Sequence, residues 1–358
     1  MKNKLIYGLF SLVFLLAACD DDDSNEFFES ATVSIDVSEV TIFDSPFDIE
    51  LTVSNPGVDM LTLTGGELVS EELSVEDMSA SKSLSALDFG GYWKADSSLV
   101  LTTTIDFDSY MSTSQHSIDV VDAIAATGGD MIYEYDSVYS RVSFDVETMF
   151  NDIESIVVEK KVITSVDADP AFVEMESKSA MMTYMFKDSV YGVDFNLEDT
   201  IVYKITAMSG AYMETKMIEI PVGAQSLVVE DPGVLSDSKD SFELVKDAGE
   251  ITFTSTDISR GFTSSDVAFV KVEIGDEFET EEDVYNLSKV VDVVEAASLV
   301  SSVDNVVIGE MYAYKFDYMG NVMYGVLTVS EVTSTVIGDD ENSITFSYSQ
   351  AVKYEKDK

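Results

Sequence analysis

Residues 47–53 read Phe-Asp-Ile-Glu-Leu-Thr-Val, and apolar side chains alternate with polar ones over all seven positions. Because successive side chains of an extended chain point to opposite faces, this pattern predicts a β-strand with one buried face and one solvated face. Asn55-Pro56-Gly57 follows, a run of residues typical of turns, and the alternation resumes at Met60-Leu61-Thr62-Leu63. The segment therefore predicts antiparallel, half-buried strands.

The same period of two recurs along most of the chain. It appears before this segment at Val33–Val37 and after it at Leu99–Phe107. Further runs follow as far as Ile344–Tyr348, and they are separated by turn residues at short intervals. Regularly spaced short strands of this kind are typical of sandwiches. We therefore predict a mainly all-β protein of tandem β-sandwich domains with one or two short helices.

Two segments depart from this rhythm. Ile118, Val121 and Ile124 would share one helical face, and Gly128-Gly129 would end the helix, so we predict a short helical connection packed on the first module. A second helix is predicted where a capping-box spacing precedes an apolar helical face. That segment contains Thr280, Asp283, Val284, Leu287, Val291 and Val294.

Residues 197–207 read Leu-Glu-Asp-Thr-Ile-Val-Tyr-Lys-Ile-Thr-Ala. A leucine, a tyrosine six residues later and alternating apolar positions resemble the penultimate strand of fibronectin type III and related immunoglobulin-like sandwiches. Asp199 stands where that family usually has proline. The resemblance implies an immunoglobulin-like second module in which the Tyr203 hydroxyl bonds back to the backbone at a strand corner.

The start of the chain has the layout of a secretory signal. Lys2 and Lys4 precede an apolar run at 5–16, which is shorter than the roughly 20 residues needed to span a membrane. The run ends in Leu-Ala-Ala-Cys at 16–19, which resembles the bacterial lipobox. This resemblance implies that residues 1–18 are removed and that Cys19 is acylated, so that lipid joins the protein to a membrane.

An acidic run follows the cysteine, and it predicts a solvated tether at 19–30. Its position resembles the export signal of Bacteroidetes-type lipoproteins, which implies a lipid-anchored protein of the outer membrane facing the cell exterior. In other Gram-negative lineages an aspartate after the cysteine favours inner-membrane retention instead. The run is Asp20, Asp21, Asp22 and Asp23. The modules that follow are predicted at 31–138, 139–223 and 224–358, the last a β-rich domain.

Composition limits the classes of partner and of chemistry. The formal net charge of −48 would repel phosphate backbones, so we expect no nucleic-acid partner. Because 46% of residues are hydrophobic and 11% aromatic, the modules can form real cores. Cys19 is the only cysteine, which excludes a disulfide framework within one chain.

Histidine-based chemistry would depend on His116, the sole histidine, which we expect at a polar loop position beside the first helix. We therefore predict no enzyme and no resident cofactor. Calcium is the metal that the acidic loops suit best, since it prefers several oxygen ligands, although solvated loops without metal explain the same clusters. The calcium candidates are Asp167, Asp169, Asp339 and Asp340.

Aromatic residues offer candidates for ligand binding. Alternation within 311–318 would place several rings on one face of a strand, either exposed to stack on sugars or buried as core. The ligand-binding candidates are Trp93, Tyr312, Tyr314 and Tyr318. These features favour a non-catalytic surface binding component for glycan or nutrient capture beside an outer-membrane transporter. The alternative is a structural or adhesive component of a surface assembly.

Overall fold

The computed structural model describes residues 31–66, 68–90, 94–107, 110–256, 259–333 and 341–354. These residues form many strands and one α-helix, so the predicted fold class, mainly all-β, is confirmed. The chain divides into two compact units. The smaller comprises residues up to 37, 48–83 and 100–117, and the larger comprises 38–47, 84–99 and residues from 118 onward.

The first eight strands form two sheets, with orders β1-β3-β6 and β2-β8-β7-β4-β5, in which β2 is parallel to β8. In β3, Phe47, Ile49, Leu51 and Val53 are all buried, as the alternation predicts. The strands are β1 (Val33–Ile35), β2 (Glu39–Thr41), β3 (Phe47–Val53), β4 (Met60–Gly65), β5 (Leu68–Ser74), β6 (Ser79–Leu84), β7 (Ser97–Phe107) and β8 (Tyr110–Val121).

The next eight strands repeat this arrangement. They are β9 (Ile124–Thr127), β10 (Ile132–Tyr133), β11 (Tyr139–Glu147), β12 (Ile153–Ile163), β13 (Val173–Met181), β14 (Thr183–Tyr191), β15 (Thr200–Ser209) and β16 (Tyr212–Gly223). Their sheet orders are β9-β11-β14 and β10-β16-β15-β12-β13, with β10 parallel to β16. In both sets the first, third and sixth strands form the three-stranded sheet. The repeat is a pair of tandem immunoglobulin-like sandwiches.

Tyr203 lies in β15, the penultimate strand of the second sandwich, where the fibronectin resemblance places it. Its ring is fully buried, 6.2 Å from the ring of Phe186 on the opposite sheet. The expected backbone partner is wrong, because the Tyr203 hydroxyl donates to the Asp188 carboxylate at 2.5 Å. Asp188 lies on β14 and points between the sheets, where its charged oxygen is a stronger acceptor than a carbonyl.

The remaining strands form a six-stranded and a four-stranded sheet. The first has the order β17-β26-β25-β24-β22, with β18 also paired to β26, and the second has the order β19-β20-β21-β23. The strands are β17 (Val228–Val229), β18 (Gly233–Ser236), β19 (Ser241–Val245), β20 (Ala248–Ser255), β21 (Arg260–Thr263), β22 (Ala268–Val272), β23 (Ser302–Val303), β24 (Met311–Tyr318), β25 (Asn321–Thr333) and β26 (Ser343–Lys353).

Helix α1 (Leu287–Ala296) confirms the second helix prediction. Its apolar side, including Val290 and Val294, packs in a core with Tyr324 and Val326 of β25. The predicted capping box forms one turn earlier, over a short 3₁₀ helix, and the Asn286 side chain caps α1 by accepting from the Lys289 amide. A second core covers other residues of the six-stranded sheet, so this sheet contributes to two cores.

The first helix prediction, over 118–124, is wrong. Residues up to Val121 belong to β8, and Ile124 begins β9. Ile118 and Val120 are buried with an exposed Asp119 between them, which is the period of a strand. The apolar residues fit both periods over so short a run, and β-branched side chains favour the strand.

Candidate functional site

Several sequence candidates lie outside the described residues. These are Cys19, Asp20, Asp21, Asp22, Asp23, Trp93, Asp339 and Asp340. Their predicted roles in lipidation, export, ligand binding and calcium binding therefore remain predictions from sequence. Among the helices that the structure describes, none is long and apolar enough to cross a membrane.

The aromatic row of β24 is core rather than an exposed platform. Tyr312 and Tyr314 are 3% and 0% exposed, and Phe316 lies in the same core cluster. The rings do share one strand face, as predicted, with 6.2 Å between the centroids of Tyr314 and Phe316. Ligand stacking is therefore wrong for Tyr312 and Tyr314. Tyr318, half-buried, packs against the edge of the same cluster.

The described calcium candidates do not converge. Asp169 pairs with Lys161 at 3.2 Å, and an Asp167 oxygen accepts from the Asp169 amide at 3.3 Å. Within the ranges that the structure describes, no three acidic, histidine or cysteine side chains are grouped as a metal site would require. The two aspartates form a loop turn that is tied to a lysine.

His116 lies within β8, so the expected loop position is wrong. Its Nε2 is 3.1 Å from the hydroxyl of Thr103, and burial lowers the pKa of the imidazole. Thr103 is fully buried and its hydroxyl also lies 3.4 Å from the Ser114 carbonyl. The threonine is therefore inaccessible as a nucleophile, and the pair joins two neighbouring strands.

An exposed aromatic pair stands out on the outer face of the second sandwich. Tyr139 begins β11 and pairs in register with Tyr191 at the end of β14, and their ring centroids are 5.4 Å apart at 59°. The residues are 38% and 39% exposed. Two exposed rings in contact offer apolar area to a ligand at a low cost in side-chain entropy.

Arg141 extends this face by one step along β11. Its guanidinium carbon lies 5.3 Å from the centre of the Tyr139 ring, and its Nη2 donates to the Tyr139 hydroxyl at 2.7 Å. The hydrogen bond and the cation–π contact hold the guanidinium beside the rings. Among the described residues, no carboxylate lies within 4.0 Å of Arg141.

A cavity of about 580 Å³ adjoins Arg141 on the same three-stranded sheet, a volume that suits a small ligand. Hydroxyl, cationic and apolar groups contribute to its wall. Its lining residues are Thr127, Arg141, Val142, Ser143, Lys187, Asp188 and Ser189.

On the inner side of this sheet, contacts of the Asp188 side chain hold β14 against the opposite sheet. Asp188 accepts from Tyr203 and lies 3.7 Å from the ammonium of Lys160, which also lies over the Tyr203 ring at 4.9 Å. Burial and the Asp188 carboxylate raise the pKa of Tyr203 above its usual value, so the hydroxyl stays a donor. The Asp188 charge is therefore engaged inside the sandwich, away from Arg141.

The sequence predictions missed this face. Tyr139 and Arg141 alternate with Ser140 and Val142, so the outward position of the first pair could be inferred from the buried valine. The pairing with Tyr191 depends on the register of two strands that are distant in sequence, which no local pattern gives. An outward Tyr-x-Arg on a sandwich strand was the available signal.

No protein-family model matches this chain, and no curated protein matches it. Among solved structures it is similar to a chimeric titin Z1Z2 functionalized with a decorin peptide, at 14% identity over 55% of this chain and 97% of that one, with a TM-score of 0.23. It is also similar to titin Z1Z2 in complex with telethonin, at 14% identity over 54% of this chain and 95% of that one, with a TM-score of 0.22. A third similar structure is trypsin-activated alpha-2-macroglobulin from Escherichia coli, at 9% identity over 61% of this chain and 19% of that one, with a TM-score of 0.22. The fold assignment rests on the strand orders themselves.

Proposed function

We propose that this protein is a non-catalytic binding lipoprotein that captures a glycan or a related nutrient at the cell surface. The observation that carries the proposal is the exposed Tyr139–Tyr191 pair beside Arg141 and a cavity. Tyrosine rings stack on the apolar faces of sugars, while the arginine and nearby hydroxyls can bond to ring substituents. The three kinds of group lie on one exposed sheet face.

The proposed cellular location is inferred from the sequence. The lipobox resemblance at 16–19 implies an anchor on Cys19, and the acidic run after it implies export to the outer face of the outer membrane. A captured nutrient needs a route inward, so the expected partner is an outer-membrane transporter. The membrane itself is contacted through the acyl chains, which contribute about 0.8 kcal/mol for each buried methylene group.

Binding is favoured over catalysis by the environment of His116. Its imidazole is hydrogen-bonded to a buried threonine, and burial lowers its pKa. A general base needs to reach the proton of a nucleophile that a substrate can approach. We propose neither a catalytic residue nor a resident cofactor.

A structural or adhesive role is the second candidate. The repeated strand order of the two immunoglobulin-like sandwiches favours it, since tandem sandwiches can serve as spacers. Strand β13 is an edge strand with Val173 and Met175 exposed, and such an edge can pair with another chain. This role requires no contribution from the tyrosine pair.

The test is an oligosaccharide array probed with the purified chain and with Tyr139→Ala. Capture at this face predicts a bound set of oligosaccharides whose signal falls at least about tenfold in Tyr139→Ala, because covering the apolar surface of a ring contributes about 1.5–3 kcal/mol. Tyr139→Phe keeps the ring and should retain most of the signal. Tyr285→Ala, at an equally exposed tyrosine on another element, is the control. An array signal that is the same in Tyr139→Ala as in the unchanged chain, or no signal at all, favours the adhesive role.

A further inference from the structure

We infer that the Tyr139–Arg141 face recognises acidic sugars, with Arg141 taking the carboxylate of a uronic acid. The inference rests on the proposed capture function and specifies its ligand class. It begins from the charge of the chain, which has 68 acidic residues and only 20 lysines and arginines. In such a chain a basic side chain readily finds an acidic neighbour.

Half of the lysines and arginines that the structure describes form ion pairs, and Arg141 belongs to the other half. Eight pairs occur among the described residues, and a lysine supplies the cation in each. Arg141 and Lys187 belong to none of them, although both line the same cavity. They are diagonal neighbours across β11 and β14, since Arg141 pairs with Ser189 and Ser143 pairs with Lys187. The face therefore carries two cations without an acidic partner within 4.0 Å among the residues that the structure describes.

The hydrogen bonding of Arg141 leaves capacity for a ligand. A guanidinium has five N–H donors in a planar fork that matches a carboxylate. Within the described part of the chain, one of these donates to Tyr139, and the Arg141 side chain forms no other hydrogen bond. The tyrosine contact fixes the plane, and the remaining N–H groups can receive two carboxylate oxygens side by side.

The position of the two tyrosine rings suits a sugar whose charged group is a substituent at the edge of its own ring. Tyr139 and Arg141 are two residues apart on the same strand face, and the guanidinium carbon of Arg141 lies 5.3 Å from the centre of the Tyr139 ring. A pyranose stacked on the Tyr139–Tyr191 pair would direct a ring carboxylate toward the arginine fork. A neutral sugar could stack equally well, but it would leave the guanidinium without an anion.

Nearby acids do not neutralise Arg141. Asp188 lines the cavity, but its carboxylate is bonded to Tyr203 and lies close to Lys160. Asp145 continues the outer face beyond Lys187, and its Oδ1 is buried without a hydrogen-bond partner in the described structure. That buried oxygen is not accessible to a sugar hydroxyl, so it takes no part in the proposed ligand contact.

The test compares two probes with the same sugar backbone, tetragalacturonate and its fully methyl-esterified form, in which each carboxylate is a neutral ester. Their affinities are measured by calorimetry at about 0.15 M salt, where screening limits the repulsion from distant acids to about 8 Å. The purified chain begins at residue 24, so that it carries neither the apolar run at 5–16 nor Cys19. We expect tetragalacturonate to bind at least about tenfold more tightly than the ester, the range of one charged hydrogen-bonded contact.

Arg141→Gln should abolish this preference and leave the weak affinity for the ester unchanged. Lys289→Gln, which removes an exposed cation from α1, should keep the preference. Equal affinities for acid and ester, or a preference that survives in Arg141→Gln, would overturn the acidic-sugar inference while capture stands. Failure of both probes to bind, with Tyr139-dependent signals on neutral oligosaccharides, would also overturn the inference alone. Failure of both probes and of the whole array would refute capture as well.

Discussion

Replacing Asp44 with alanine should destabilise the larger compact unit by about 3–5 kcal/mol, because several buried donors would lose their acceptor. The Asp44 side chain is fully buried in the segment after β2. Its Oδ2 accepts from the Thr41 amide and hydroxyl, both at 2.8 Å. Its Oδ1 accepts from the amides of Phe150 at 2.7 Å and of Met149 and Asn151 at 3.2 Å. Five donors therefore depend on one carboxylate.

The magnitude follows from the accessibility of these donors. An unpaired buried donor costs about 1–3 kcal/mol. Met149 and Phe150 are 38% and 40% exposed, so water can reach part of this turn and reduce the penalty there. Thr41 is 1% exposed, and its two donors should incur the full cost. Asp44→Asn should lose less, since its amide oxygen still accepts from one set of these donors while its amide nitrogen faces the other set and cannot accept.

The assay is urea unfolding followed by far-UV circular dichroism, with the free energy of unfolding taken by linear extrapolation. Asp152→Ala is the matched control, because Asp152 is exposed in the same turn, and it should stay within about 0.5 kcal/mol of the unchanged protein. If Asp44→Ala loses less than about 1 kcal/mol, the carboxylate is not the organising group of this turn.

Three further perturbations test other parts of the account. Tyr203→Phe removes the bond to Asp188 and should cost about 0.5–1.5 kcal/mol in urea unfolding, since Asp188 keeps Lys160; an unchanged curve would contradict the bond. Cys19→Ser should abolish incorporation of a fatty-acid analogue, and undiminished labelling would exclude lipidation at that residue. Sodium chloride should raise the melting temperature by screening a net charge of −48, and a flat or falling trend would refute self-repulsion. In the same melts, calcium stabilising beyond an ionic-strength-matched magnesium series would indicate specific sites.

Local alternation was sufficient to predict the sandwiches. The patterns at 47–53 and 197–207 each produced the expected half-buried strand, and the leucine–tyrosine spacing placed Tyr203 in the penultimate strand. The helix expected at 118–124 failed because the run contains both a helical spacing (Ile118, Val121 and Ile124) and a strand alternation (Ile118 and Val120), and pairing with neighbouring strands decided between them. Where local pattern and tertiary pairing compete over few residues, the sequence alone is ambiguous.

The exposed Tyr139–Tyr191 face could not be predicted from local pattern. Alternation correctly put the rings of Tyr312, Tyr314 and Phe316 on one side of a strand, but it cannot tell which side meets a second sheet. Tyr139 and Tyr191 come together only through the register of β11 with β14. Likewise, the partner of Tyr203 is a carboxylate on the opposite sheet, which a strand motif does not specify.

Capture at the cell surface through the Tyr139–Tyr191 face is the central claim, and retention of labelled oligosaccharide by intact cells tests it most directly. Cells that carry the unchanged protein should retain the oligosaccharides selected on the array. Cells with equal surface amounts of the Tyr139→Ala, Tyr191→Ala double variant, measured by protease accessibility, should lose at least nine-tenths of that retention, about a tenfold change that corresponds to 1.4 kcal/mol. Retention that is unchanged in the double variant would contradict the account.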